Sequence, residues 1–201
     1  MAVLALSLFA VFAALGFGWR SWVQYRHTGS TGFRGISGEP GSVEWFAGLG
    51  FAISLAAAVL ALGLQLAGAV EPASVLISPW IQLLGIVIAV AGIAAMVCAQ
   101  LDMGDSWRIG VDTGETTTLV RTGLFDRVRN PIFTAMLVFG AGLVLITPNL
   151  LAFIAFALLV GSIEVQVRVV EEPHLLRVHG RAYRDYLATV GRFVPGVGLR
   201  R

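Results

Sequence analysis

Apolar positions gather into five long runs, at residues 2–19, about 45–69, about 79–101, 132–147 and 149–167. A helix needs about 20 apolar residues to cross about 30 Å of hydrocarbon. The first three runs meet that length. The last two fall slightly short and are split by Thr147-Pro148-Asn149, a tight-turn signal. They predict a helical hairpin whose second arm runs on past the membrane surface; a single re-entrant hairpin is the alternative. The expected fold is therefore an all-α integral membrane protein with five transmembrane helices and a cytoplasmic amphipathic C-terminal segment. A three-helix membrane region, 1–101, precedes a second region, 102–201. The latter comprises a polar loop at 102–131, the hairpin at 132–167 and a tail at 168–201.

Composition agrees with the pattern. Hydrophobic residues make up 57% of the chain and charged residues only 13%, where soluble domains carry about a quarter charged. Every basic residue other than histidine is arginine. Arg20, Arg26 and Arg34 lie between the first two runs, Arg108, Arg121, Arg127 and Arg129 between the third and fourth, and seven more from Arg168 onward. The other two connections hold none. All fourteen thus fall on one side, which the positive-inside rule makes cytoplasmic, with the N-terminus outside. Arginines follow the first run and none precedes it, so an uncleaved span is expected there.

Glycines at 85, 92, 140 and 142 predict close helix packing. The single cysteine, Cys98, sits inside an apolar run and reads as a packed thiol, with no intrachain disulfide available. Trp107 and Arg108 read as an interfacial anchor pair. His174 and His179, five apart, do not share a helical face, so no metal site is expected. No phosphate-binding loop, dinucleotide fingerprint or nucleophile elbow occurs, and no basic-aromatic surface suggests nucleic acid.

Chemistry concentrates on the arginine-rich side. In "SIEVQVRVVEEPHLLRVHG", residues 162–180, Glu164, Arg168 and Glu171 are spaced i, i+4, i+7 and share one stripe of an α-helix. Arg168 then stands between carboxylates on both sides, Glu172 included. Charges near hydrocarbon are costly unless paired or wet, and an intramembrane carboxylate is a functional candidate by default. A charge ladder that merely leaves the membrane is the alternative. Asn130 reads as the N-cap, and Pro131 as the first residue, of the fourth long helix, whose free N–H groups would suit an anion or polar ligand. Leu175, Leu176, Val178, Tyr183, Tyr186 and Leu187 predict a helix lying on the membrane surface.

"LVRTGLFDRVRNPIF", followed some forty residues later by "EEPHLLRVHGRAYRDYLATVGRFVP", resembles the isoprenylcysteine carboxyl methyltransferase family and its bacterial relatives. The match covers about residues 117–195. The resemblance implies a multi-pass enzyme, in a bacterial plasma membrane, that uses S-adenosylmethionine and releases S-adenosylhomocysteine. It implies a cofactor pocket between the last hairpin and the C-terminal segment, with surrounding lipids and a lipophilic substrate entering from the bilayer. Carried onto this chain, Leu119, Val120, Arg129, Asn130, Pro131, Phe133, Glu172, His179, Tyr183 and Tyr186 would bind the cofactor. Arg168, Glu171 and Glu164 would be catalytic: Arg168 for an anionic group, Glu171 or Glu172 for the cofactor's ammonium or ribose hydroxyls, and Glu164 as base toward a thiol or amine. Three positions depart from the family pattern. Asn130 replaces a histidine, Phe133 replaces a tyrosine, and Arg168 lies three residues before the Glu-Glu pair where two is usual. A nicotinamide-dependent lipid or sterol-type reductase, or a non-catalytic lipid-binding protein, are the competing readings.

Overall fold

The computed structural model describes residues 1–32, 35–107 and 118–200; Arg34 and Arg108 lie outside them. Regular structure among the described residues is helical. We number the longer helices α1 (Ala2–Thr28), α2 (Val43–Leu66), α3 (Pro79–Met103), α4 (Pro131–Ile146), α5 (Leu150–His179) and α6 (Arg181–Thr189). Helices α1, α2, α3 and α5 are long and apolar enough to cross a membrane, whereas α4 is apolar but has only 16 residues. The chain is thus a multi-pass membrane protein.

The expected hairpin forms. Asn149 starts α5 as its cap, accepting a hydrogen bond from the Ala152 N–H at 2.9 Å, and its amide donates to Gln65 Oε1 at 2.7 Å. The Pro148 carbonyl accepts from the Ala73 N–H at 2.6 Å, so the turn is tied to the chain leaving α2. The most extensive pairings, however, are α3 with α4 and α2 with α5. Small residues permit them. Gly85 and Gly142 lie against each other's carbonyl, Gly92 lies against Phe139, and Gly50 meets Ser162. The core runs through the bundle as Phe12, Leu62, Met96, Phe139, Ile146, Ile163 and Val167.

Two π-helical turns depart from simple helix geometry, Ala14–Trp19 within α1 and Gln166–Glu171 within α5. In the first, the Gly16 carbonyl accepts a hydrogen bond from Gln100 Nε2 at 2.9 Å. A wide turn frees a backbone acceptor that a buried glutamine then takes up.

Several local expectations need correction. Cys98 is exposed, on the outer face of α3, because the buried positions of that helix are 85, 89, 92, 93, 96, 99 and 100. Trp107 is only 3% exposed and lies under the Arg20 guanidinium, 4.9 Å from ring centroid to Cζ, so it packs within the protein. Helix α6 does not offer an apolar face to a membrane. Tyr183, Tyr186 and Leu187 are buried against Leu119, Leu175, Leu176 and Val190.

Candidate functional site

The chain entering α4 and the chain following α6 meet at one end of the α4–α5 hairpin. Asp102, near the end of α3, accepts the Leu124 N–H at 2.8 Å and presses on Gly123, whose φ of +63° and contact with the carboxylate leave no room for a side chain. That contact fixes residues 123–126, a short 3-10 turn, and so the approach to Pro131. Val128 bridges to Gly191, and the Arg129 and Asn130 N–H groups donate to the Gly191 and Arg192 carbonyls at 2.8 and 3.1 Å. Gly191 is buried where a Cβ would collide with the backbone of Val194, Gly196 and Val197, so only glycine allows this tight return. Phe193 packs on the membrane core, and Thr134 Oγ1 donates to the Phe193 carbonyl at 3.1 Å.

At the centre stands Glu172, 1% exposed. Its Oε1 accepts from Arg129 Nη2 at 2.9 Å and from Arg192 Nε at 2.7 Å, and its Oε2 accepts from Arg192 Nη2 at 2.9 Å. Arg200 Nη1 lies 3.5 Å from Oε2. Arg129 also donates to the carbonyls of Leu187, Val190 and Gly198. One buried guanidinium thereby joins α5, the end of α6 and the terminal segment. The hydrogen bond to Glu172 raises the Arg192 pKa further above its ordinary value, so its charge is fixed at any working pH.

Tyr183 and Tyr186 flank this cluster. Tyr186 donates its hydroxyl to the Phe125 carbonyl, and burial pushes its pKa up to about 12. Burial, then the Glu172 charge, drives Tyr183 higher still. His179 Nε2 and Arg129 Nε are buried and have no hydrogen-bond partner.

The structure brings together Arg129, Asn130, Pro131, Glu172, Tyr183 and Tyr186 from the expected set, with Leu119 packed on the two tyrosines. Phe133 turns into the membrane core and Val120 is half-buried. Asn130 begins α4 as expected but does not cap it. Its backbone ψ is +60°, and its side-chain amide donates to the Arg192 carbonyl at 3.2 Å.

The Glu164–Arg168–Glu171 stripe is divided. Arg168 Nε pairs with Glu164 on a surface where Arg168 is 52% exposed, while Glu171 contacts Gln166 Nε2 at 3.4 Å. The π turn is the cause. It spreads the helical phase by one residue, so Glu172 points inward to the arginines and Arg168 points outward.

Sequence reasoning missed Arg192, which alone grips both carboxylate oxygens of Glu172. The available signal was the placement of Glu172 on the apolar side of its helix, where a charge must be paired.

Among the described residues no group of three or more His, Cys, Asp or Glu is close enough to hold a metal ion. No curated protein matches the chain. The family model described as phospholipid methyltransferase matches residues 77–182, which takes in α3, the hairpin and Glu172. That family is related to the isoprenylcysteine carboxyl methyltransferases, as the two motifs led us to expect. With more than half of its length matched and its apolar helices built to cross a bilayer, the chain belongs to the phospholipid methyltransferase family of membrane proteins.

Proposed function

We propose that this membrane methyltransferase takes its methyl group from S-adenosylmethionine and passes it to a lipophilic or amphiphilic acceptor that arrives from the bilayer. The observation that carries the reading is the meeting of the α4 start, Glu172 and the C-terminal segment at one end of the hairpin. The side chains there suit such a donor. His179 Nε2 is a buried acceptor or donor without a partner. Glu171 offers a half-buried carboxylate for an ammonium group, and Leu119, Val120, Tyr183 and Tyr186 supply apolar walls. When bound, the donor supplies a methyl group made electrophilic by its sulfonium.

The chain's own work is alignment and exclusion of water, which together lower the barrier to an in-line displacement. Glu172, engaged by arginines, serves that work by holding Arg129, Asn130 and Pro131 in place. Arg168 and Glu164 sit half-exposed, one to two turns before Glu172 along α5, where Arg168 meets an anionic acceptor group and Glu164 takes a proton from a thiol or amine.

The arginine distribution further supports five crossings, an outside N-terminus and a cytoplasmic site in a bacterial plasma membrane. Residues 1–101 then form the membrane scaffold and 102–201 the donor-binding region. Helix α4 rises about 24 Å over its 16 residues, a shortfall that bilayer thinning and flanking residues accommodate.

Thermal unfolding of detergent-solubilised protein with S-adenosylhomocysteine, NADPH or buffer alone tests the reading, since a ligand that prefers the folded state raises its melting temperature. S-adenosylhomocysteine should raise it and NADPH should not. No shift at millimolar S-adenosylhomocysteine rejects the proposal.

A further inference from the structure

Only Arg192 touches both oxygens of Glu172, and it comes from a segment outside the family match. Its backbone is equally engaged. The Arg192 carbonyl accepts from the Asn130 N–H and from Asn130 Nδ2, at 3.1 and 3.2 Å, and its own N–H donates to the Val197 carbonyl at 2.7 Å. Residues 190–200 therefore form a strap, pinned at Arg192 and at Phe193, that lies across the start of α4.

Without Arg192, Glu172 would keep Arg129 and the more distant, half-exposed Arg200, but nothing would fix the plane of its carboxylate. A fork of two parallel N–H donors sets that plane, and a lysine cannot reproduce it. Arg129 spends its Nη groups on Glu172 and three carbonyls. Its position, and that of the adjoining Asn130–Pro131 backbone, follows the plane of the carboxylate.

We propose that Arg192 is a positioning residue for the methyl-donor site. It acts through Glu172 to hold Arg129 and the start of α4 in the donor-binding arrangement, and it touches neither the donor's methyl group nor the acceptor. The inference rests on the methyltransferase reading above. It extends the site to the C-terminal strap and gives the strap a task beyond closing the fold.

Arg192→Gln and Arg192→Lys separate positioning from simple support. For the solubilised protein we expect Arg192→Gln to weaken S-adenosylhomocysteine binding and raise the KM for S-adenosylmethionine by about ten- to a hundredfold, the scale on which small misplacements act. Saturating kcat should stay within about threefold of the unaltered value, since the reacting atoms are not touched. Arg192→Lys keeps the charge but loses the fork, and should recover part of the affinity. Arg200→Ala, at the rim, should change little.

A folded Arg192→Gln with unchanged affinity and KM overturns the role. So does a fall in kcat alone, which would place Arg192 against the reacting groups. If Arg192→Gln does not fold, Arg192→Lys carries the same readings: a raised KM at preserved kcat supports the role, and unchanged constants overturn it. Failure of the unaltered protein to bind S-adenosylhomocysteine removes both readings, whereas binding that survives Arg192→Gln removes the positioning role alone.

Discussion

Gly92 on α3 lies directly against the backbone of Phe139 on α4, where an added Cβ would stand 2.6 Å from the Phe139 nitrogen. The ring of Phe139 stacks in turn on Phe12, with centroids 4.1 Å apart and planes 3° from parallel. Three helices are thus set by one absent side chain. Gly92→Ala should push α4 outward, disturb the stack and cost about 1–3 kcal/mol. Gly161 has nothing within 4 Å of its would-be Cβ, so Gly161→Ala should be neutral or stabilise by up to about 1 kcal/mol through helix propensity. Melting temperatures of the two variants in one detergent compare them, and equal effects would contradict the packing described.

Tyr186 links pH to stability. Its pKa rises from an ordinary value of 10.0 to about 12 in the folded protein, because burial disfavours the phenolate. The folded state therefore holds its proton more tightly than the unfolded chain. The contribution is fully present below pH 10 and is lost as pH climbs from 10 through 12. The melting temperature of the unaltered protein should fall across that window, and more steeply than that of Tyr186→Phe. The variant should also start lower, since the Phe125 carbonyl loses its donor, at about 1–3 kcal/mol.

Removing the charge of Glu172 should be among the most damaging single changes in the cytoplasmic-side cluster. Glu172→Gln leaves Arg129 and Arg192 buried without their carboxylate, and losing one partner of a buried ion pair costs about 3–5 kcal/mol. Arg192→Gln should cost less, because Arg129 still pairs with the acid. Chemical unfolding of both variants gives the order, and a milder Glu172→Gln would refute it.

Arg168 should behave in the opposite way. Its pairing with Glu164 is exposed, so Arg168→Ala should shift stability by no more than about 1 kcal/mol. If Arg168 meets an anionic acceptor, kcat/KM for that acceptor should drop about tenfold or more with unaltered S-adenosylhomocysteine binding. Loss of donor binding instead would move Arg168 to the other half of the site.

A topology reporter fused within Thr147-Pro148-Asn149 should read outside. A cytoplasmic signal there would reject five crossings and the inferred orientation together.

The long elements were legible because hydrophobic runs and small residues act locally. Five runs became five long apolar helices, and Gly85, Gly92 and Gly142 sit where helices approach most closely. The site was legible only in part. Arg129, Glu172, Tyr183 and Tyr186 came from motif order, but Arg192 meets Glu172 across twenty residues, and no helical period relates them. Trp107 beside a cytoplasmic-side arginine looked interfacial, yet its partner proved to be Arg20 from a distant helix. Pairings of that kind depend on tertiary approach. The inward turn of Glu172 was hidden for a different reason, since a reading at 3.6 residues per turn cannot anticipate a turn that holds more.

That wide turn accounts for an oddity of spacing. By the family pattern the arginine before the Glu-Glu pair stands two residues away, whereas Arg168 stands three away. Gln166–Glu171 is the place where α5 takes up one surplus residue without lengthening or breaking. Deleting a residue such as Val169 would keep every charged group yet return the helix to ordinary pitch. All that follows would then rotate by about 100°. Glu172 would swing off its arginines, and the family spacing, once restored, would be wrong for this protein. Its ancestry is therefore recorded less in which charged residues it keeps than in one silent valine's worth of chain between them.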